Sequence, residues 1–150
     1  MLKRSWQAGF TIVELLIVIV VIAILASISV VAYNGIQDRS RAAKANSDLA
    51  TLRKAIELAR ISQNRTLLQI TGSTCTRCAS NQPATYYNTL TLIGNAANTN
   101  LDALRAGDPW GNLYQIDENE GENGNCARDT ITVTPGRSNV PTIQIPTYAC

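Results

Sequence analysis

Gly9-Phe10-Thr11-Ile12-Val13-Glu14 runs without a break into Leu15-Leu16-Ile17-Val18-Ile19-Val20-Val21-Ile22-Ala23-Ile24-Leu25-Ala26, and this stretch decides the architecture. Between Phe10 and Tyr33 the only charged side chain is Glu14. As a helix, residues 10–33 extend about 36 Å, enough to cross a hydrocarbon core of about 30 Å. The helix of a soluble domain keeps a polar face, and this segment has none. A carboxylate within such a segment is costly and points to a partner.

Charge around the segment sets its expected direction. Lys3 and Arg4 precede the span, and basic flanks stay on the cytoplasmic side. The chain from about Tyr33 onward then lies outside. Glu14 falls about one turn inside the cytoplasmic interface, where a carboxylate costs much less than at the midplane. A secretory signal carries its small-residue cleavage site after a short apolar stretch. Here Gly9 precedes the apolar run, and the run is longer than that stretch.

The block GFTIVELL, Gly9 to Leu16, resembles the processing and assembly motif of type IV pilins and the related pseudopilins. The resemblance is close from residue 1 to about residue 60. It implies that residues 1–9 form a leader, removed by a prepilin peptidase that cuts after Gly9 and methylates the new amino terminus on Phe10. It further implies that Phe10 and Glu14 serve assembly, the amine of one subunit pairing with Glu14 of a neighbour. The implied partners are further copies of this chain, the peptidase-methylase, the pilus assembly machinery and, before assembly, the cytoplasmic membrane. The subunit would sit in that membrane as a single-pass protein with its N-terminus inside, then in an extracellular pilus. A structural pilin of a type IV pilus is the function implied. A pseudopilin of a type II secretion or DNA-uptake machine is the first alternative. A membrane-anchored binding or sensor ectodomain is the second.

Beyond residues 10–33, the transmembrane or filament-core half, the helix is expected to continue. Residues 36–63 contain neither Pro nor Gly. Ala42, Ala45, Leu49, Leu52, Ile56 and Ala59 recur at steps of three and four, one stripe of an amphipathic helix. Arg41, Lys44, Asp48, Arg53, Lys54 and Arg60 are assigned to the other faces. Asn64 is the expected stop, because Asn tolerates the left-handed conformation. Asn34-Gly35 is the weak point, since both residues have poor helix propensity. Val31 stands where the major pseudopilins place a Pro.

The remainder reads as a small sheet over the stripe. Tyr86–Ile93 fits either a short helix or a strand. Leu101–Arg105 predicts one or two helical turns, and Asp108-Pro109-Trp110-Gly111-Asn112 a turn cluster. Leu113–Ile116, Thr130–Thr134 and Val140–Ile145 are strand candidates, with a turn at Pro135-Gly136. The fold class is therefore α+β: a long N-terminal helix packed on a small C-terminal antiparallel sheet. Residues 34–150 form the head, with the amphipathic helix half reaching about residue 63. The run Asp108–Tyr114 is similar to a motif of the major pseudopilins of type II secretion, with Leu113 where those proteins usually have Pro.

Composition narrows the chemistry. The 150 residues hold 13 Lys+Arg, 11 Asp+Glu and no His. Lys3 and Arg4 account for the basic excess, so nothing global suggests nucleic acid as a partner. Without His the chain lacks the usual general base and metal ligand, and no phosphate loop or nucleophile elbow occurs. A catalytic site is not expected.

Cys75, Cys78, Cys126 and Cys150 form an even set in an oxidising compartment, which reads as two disulfides. Of three possible pairings, Cys75–Cys78 with Cys126–Cys150 is favoured. A four-cysteine zinc site is the alternative, although the set lacks a second tight pair. The acidic run Asp117–Asn125 offers oxygen ligands, with Asp117, Glu120 and Glu122 as calcium candidates. Major pseudopilins, which this chain resembles, carry calcium in a comparable late loop. No other cofactor is expected.

Overall fold

A computed structural model describes residues 9–72, 82–121, 126–133 and 139–148. The chain divides into two compact units, one ending at Arg39 and the other beginning at Ser40.

In the first unit, helix α1 (Ile12–Gln63) begins. Its apolar side chains are exposed all round: Val20 and Val21, the least exposed of the large ones, are still 47% open. Among the described residues nothing covers them, and a surface of this kind takes its cover from lipid or from other molecules. The segment keeps its polar atoms satisfied internally. Ser27 Oγ donates to the Ile24 carbonyl at 2.7 Å, and Ser29 Oγ to the Leu25 carbonyl at 2.8 Å. The helix runs unbroken through Asn34-Gly35. The side chains of Val31, Ala32 and Asn34 lie outside the description.

In the second unit, every residue of the expected stripe is buried, from Ala42 to Ala59, and Ala55 joins them. The stripe shares one core with Leu67, Tyr86, Leu90, Ile93, Leu101, Leu104, Tyr114, Ile116, Ile131, Val133, Val140 and Ile145. The helix stops where expected, with Asn64 at φ 52°.

Two charged residues assigned to the outer faces are corrected here: Asp48 and Arg60 are buried. Their angular positions border the stripe, and each meets a polar partner from the sheet side. Asp48 accepts from the Tyr114 hydroxyl at 2.7 Å and pairs with Lys44. Burial, followed by the Asp48 hydrogen bond and charge, pushes the Tyr114 phenol far above its ordinary range. The phenol therefore stays protonated and donates. Tyr114→Phe removes that donor and leaves a buried carboxylate oxygen short of one bond. A loss of about 1–3 kcal/mol is expected, read by thermal unfolding in detergent micelles.

A short helix, α2 (Leu67–Thr71), follows under a capping box in which Thr66 and Gln69 exchange backbone–side-chain bonds at 3.4 and 3.2 Å. It closes on Gly72 in the left-handed region. The ambiguous Tyr86–Ile93 run is helical, within α3 (Pro83–Ala97). Pro83 starts it at the position where a missing N–H does no harm. Tyr86, Thr89, Leu90 and Ile93 then make one buried face. The Tyr86 hydroxyl donates to the Leu104 carbonyl at 2.7 Å, tying α3 to the 3-10 turn Asp102–Ala106, where helical turns were expected.

The Asp108 turn leads into the sheet. Its carboxylate accepts from the N–H of Trp110 and of Asn112, both at 2.9 Å, and its own N–H donates to the Asn112 carbonyl at 2.6 Å. Gly107, just before, has φ 78° and ψ −165°. The sheet holds β1 (Gln115–Asp117), β2 (Asp129–Thr132) and β3 (Ile143–Ile145), antiparallel in that order. Ile131 of β2 faces Ile116 and Ile143 across the ladder. The strands fall within a few residues of their expected places. The Pro135-Gly136 turn and Thr134 lie outside the described residues.

Candidate functional site

At the start of α1, Thr11 is the N-cap and Glu14 the third helical residue. The Glu14 carboxylate accepts from the Thr11 N–H at 2.9 Å and from the Thr11 hydroxyl at 2.8 Å. The Glu14 N–H donates back to Thr11 Oγ1 at 3.2 Å. This is a reciprocal capping box, which satisfies donors at the helix start and sets a negative charge against the positive end of the helix dipole. Glu14 is the fifth residue beyond the Gly9–Phe10 bond. Phe10 is 89% exposed. Around Gly9 a side chain would meet nothing within 4 Å. Packing among the described residues thus gives no reason for glycine at that position. Residues 1–8, with Lys3 and Arg4, lie outside the described residues.

Thr11 is not singled out by charge or by hydrophobic spacing. Its signal was available, since Thr-x-x-Glu ahead of an apolar run is the capping-box pattern. Arg60 was also missed as a buried group. Its signal is weaker: it follows Ile56 by four residues, on the edge of the stripe.

The calcium candidates separate. Glu120 is buried, and its Oε2 lies 3.3 Å from the Arg60 Nη2. Its Oε1 accepts from the Tyr148 N–H at 2.6 Å. Asp117 is half-buried in β1, and Glu122 lies outside the described residues. Asp129, absent from the expected set, is the better-placed carboxylate. It takes Arg60 on Oδ2 and the N–H groups of Asn119 and Glu120 on Oδ1, at 2.7 and 2.8 Å. Among the described residues no three ligand side chains are arranged to hold a metal ion.

Burial pulls the Arg60 guanidinium below its ordinary value, while Glu120 and then Glu57 push it back up. A guanidinium stays cationic under such shifts.

Cys126 stands in a disulfide and bridges Glu120 across a short antiparallel contact. Cys75, Cys78 and Cys150 lie outside the described residues, and the pairing with them.

Residues 7–30 match the family described as the prokaryotic N-terminal methylation motif. The type II secretion system core protein G of Escherichia coli is 30% identical over 132 residues, covering 86% of this chain and 82% of that protein. The corresponding protein of Klebsiella michiganensis is 30% identical over 117 residues, 77% and 76% of the two chains. The type IV major fimbrial protein FimA of Dichelobacter nodosus is 31% identical over 133 residues, 87% of this chain and 79% of FimA. No solved structure matches the chain significantly.

Proposed function

We propose, for a chain that belongs to the type IV pilin and pseudopilin family, that it is a structural subunit of a type IV pilus. It is processed after Gly9 and polymerised through its apolar helix. The observation that carries this reading is a helix start with apolar side chains open on every side and one carboxylate fixed at its third position. Lipid covers that surface before assembly, and neighbouring copies cover it afterwards. The role is structural, not enzymatic.

In this reading the leader stays in the cytoplasm with Lys3 and Arg4, and a peptidase-methylase acts on the Gly9–Phe10 bond. Openness around Gly9 supports it, because the demand for glycine then comes from a partner's narrow site. The freed, methylated amine of Phe10 pairs with Glu14 of a neighbour. In a lipid-like medium a charge pair is strengthened, although desolvation offsets much of the gain. Its main value is register, because a wrong stagger leaves a buried carboxylate without its cation. Burial of the apolar helices supplies most of the cohesion.

Intact mass of this chain in material sheared from the cell surface tests the proposal. A mass beginning at methylated Phe10 is expected, with a gain of about four hydrogen masses on reduction if all four cysteines are paired. Membrane-only protein that retains Met1–Gly9 would overturn it in favour of an anchored ectodomain. Gly9→Val is expected to block cleavage completely, so that the subunit keeps its precursor mass. Cleaved subunit from that variant would rule out this processing site.

A second reading, a pseudopilin of a secretion or DNA-uptake machine, is favoured by the Asp108–Asn112 turn, whose sequence is similar to a motif of the major pseudopilins. Short filaments confined to the periplasm, with none on the surface, would select it.

A further inference from the structure

Glu120, within the acidic run that offered calcium ligands, and Asp129, just after it, are fully buried. A buried carboxylate needs a cation or a set of donors. Both requirements are met here by the protein itself. The Arg60 Nη2 pairs with Asp129 and lies 3.3 Å from Glu120 Oε2, while Nη1 donates to the Pro146 carbonyl at 2.6 Å. Two carboxylates and a backbone carbonyl are the ligand types a hard divalent ion selects. A guanidinium already occupies their centre. A calcium ion at the same oxygens would stand beside a fixed positive charge, so these residues do not fit one.

We propose that Arg60 is the resident cation of this part of the head. Its guanidinium takes the place of a metal ion, and the C-terminal segment closes on it without calcium. Four stretches of chain meet there: the end of α1, the loop after β1, the start of β2 and the tail. The tail is tied twice more nearby. The Tyr148 N–H donates to Glu120 Oε1, and the Tyr148 hydroxyl donates to Asn64 Oδ1 at 2.9 Å. The inference does not depend on which filament the chain builds.

The test uses the full chain in detergent micelles, carrying Trp6→Phe so that Trp110 alone reports unfolding of the head. Melting is followed in excess EGTA and in excess calcium chloride. The same midpoint in both is expected. A midpoint that falls on chelation and returns with calcium would overturn the proposal. Arg60→Gln, which keeps the length but removes the charge, is expected to lower the midpoint by roughly 10 °C or more. Arg60→Lys, which keeps the charge, is expected to lie between the two. Arg60→Gln melting with the parent would also overturn it. If Arg60→Gln does not fold, the chelation result and Arg60→Lys still decide.

Discussion

Glu14→Gln is expected to insert into the membrane at the parental level and to form almost no filaments. The substitution keeps the shape of the side chain, and Gln serves the third position of a capping box as Glu does. Its Oε1 can still accept from the Thr11 N–H, so the helix start is preserved. Only the charge is lost. On the proposed assembly, the methylated amine of the adjoining subunit would then have no counter-ion in a place without water. Breaking one half of a buried pair costs roughly 3–5 kcal/mol. Applied to each added subunit, this is more than about a hundredfold in the addition equilibrium. Sheared material and membranes are compared by immunoblot. Parental amounts of filament from the variant would sink the pairing argument while leaving the membrane assignment intact.

The second large effect lies in the head. Gly107→Ala is expected to destabilise it by about 4 kcal/mol, with a fall in melting midpoint of roughly 10 °C or more. The backbone at Gly107 occupies a region that belongs almost entirely to glycine. An added Cβ would lie 2.4 Å from the Asn112 carbonyl oxygen, the acceptor of the Asp108 N–H. The Ala side chain would therefore push apart the bond that closes the turn. Gly111→Ala is the control. It too has positive φ, 87°, but its Cβ would meet nothing within 4 Å. It should lose only the conformational share, about 1 kcal/mol. Equal losses at the two glycines would show that contact with Asn112 has no part in the effect.

Long elements were legible because hydrophobic spacing is a strong signal over many residues. The stripe from Ala42 to Ala59 and the stop at Asn64 could be read directly. Tyr86–Ile93 could not be assigned, because aromatic and β-branched residues favour strands locally while Pro83 and the burial of Tyr86, Leu90 and Ile93 favour a helix. Packing decided it. Helix α2 escaped notice since five residues give no periodic pattern, only the capping pair Thr66 and Gln69. Asp48 and Arg60 were placed outside because a charged residue beside a stripe is usually solvated. Their partners, Tyr114 and Asp129, lie 66 and 69 residues away in the chain, beyond any local rule. At the helix start Glu14 is legible from its charge, whereas the contribution of Thr11 is a bond to Glu14.

The two serines of the membrane-length segment bear on how a subunit changes surroundings. Each hydroxyl spends its proton on a carbonyl one turn back in its own helix. Neither has to find a new acceptor when lipid is exchanged for protein. The segment is thus portable: it can leave a bilayer and enter a bundle with its serine hydrogen bonds already made. The preference for one setting over the other is then left to shape and to Glu14. The two serine bonds are then the same in either setting.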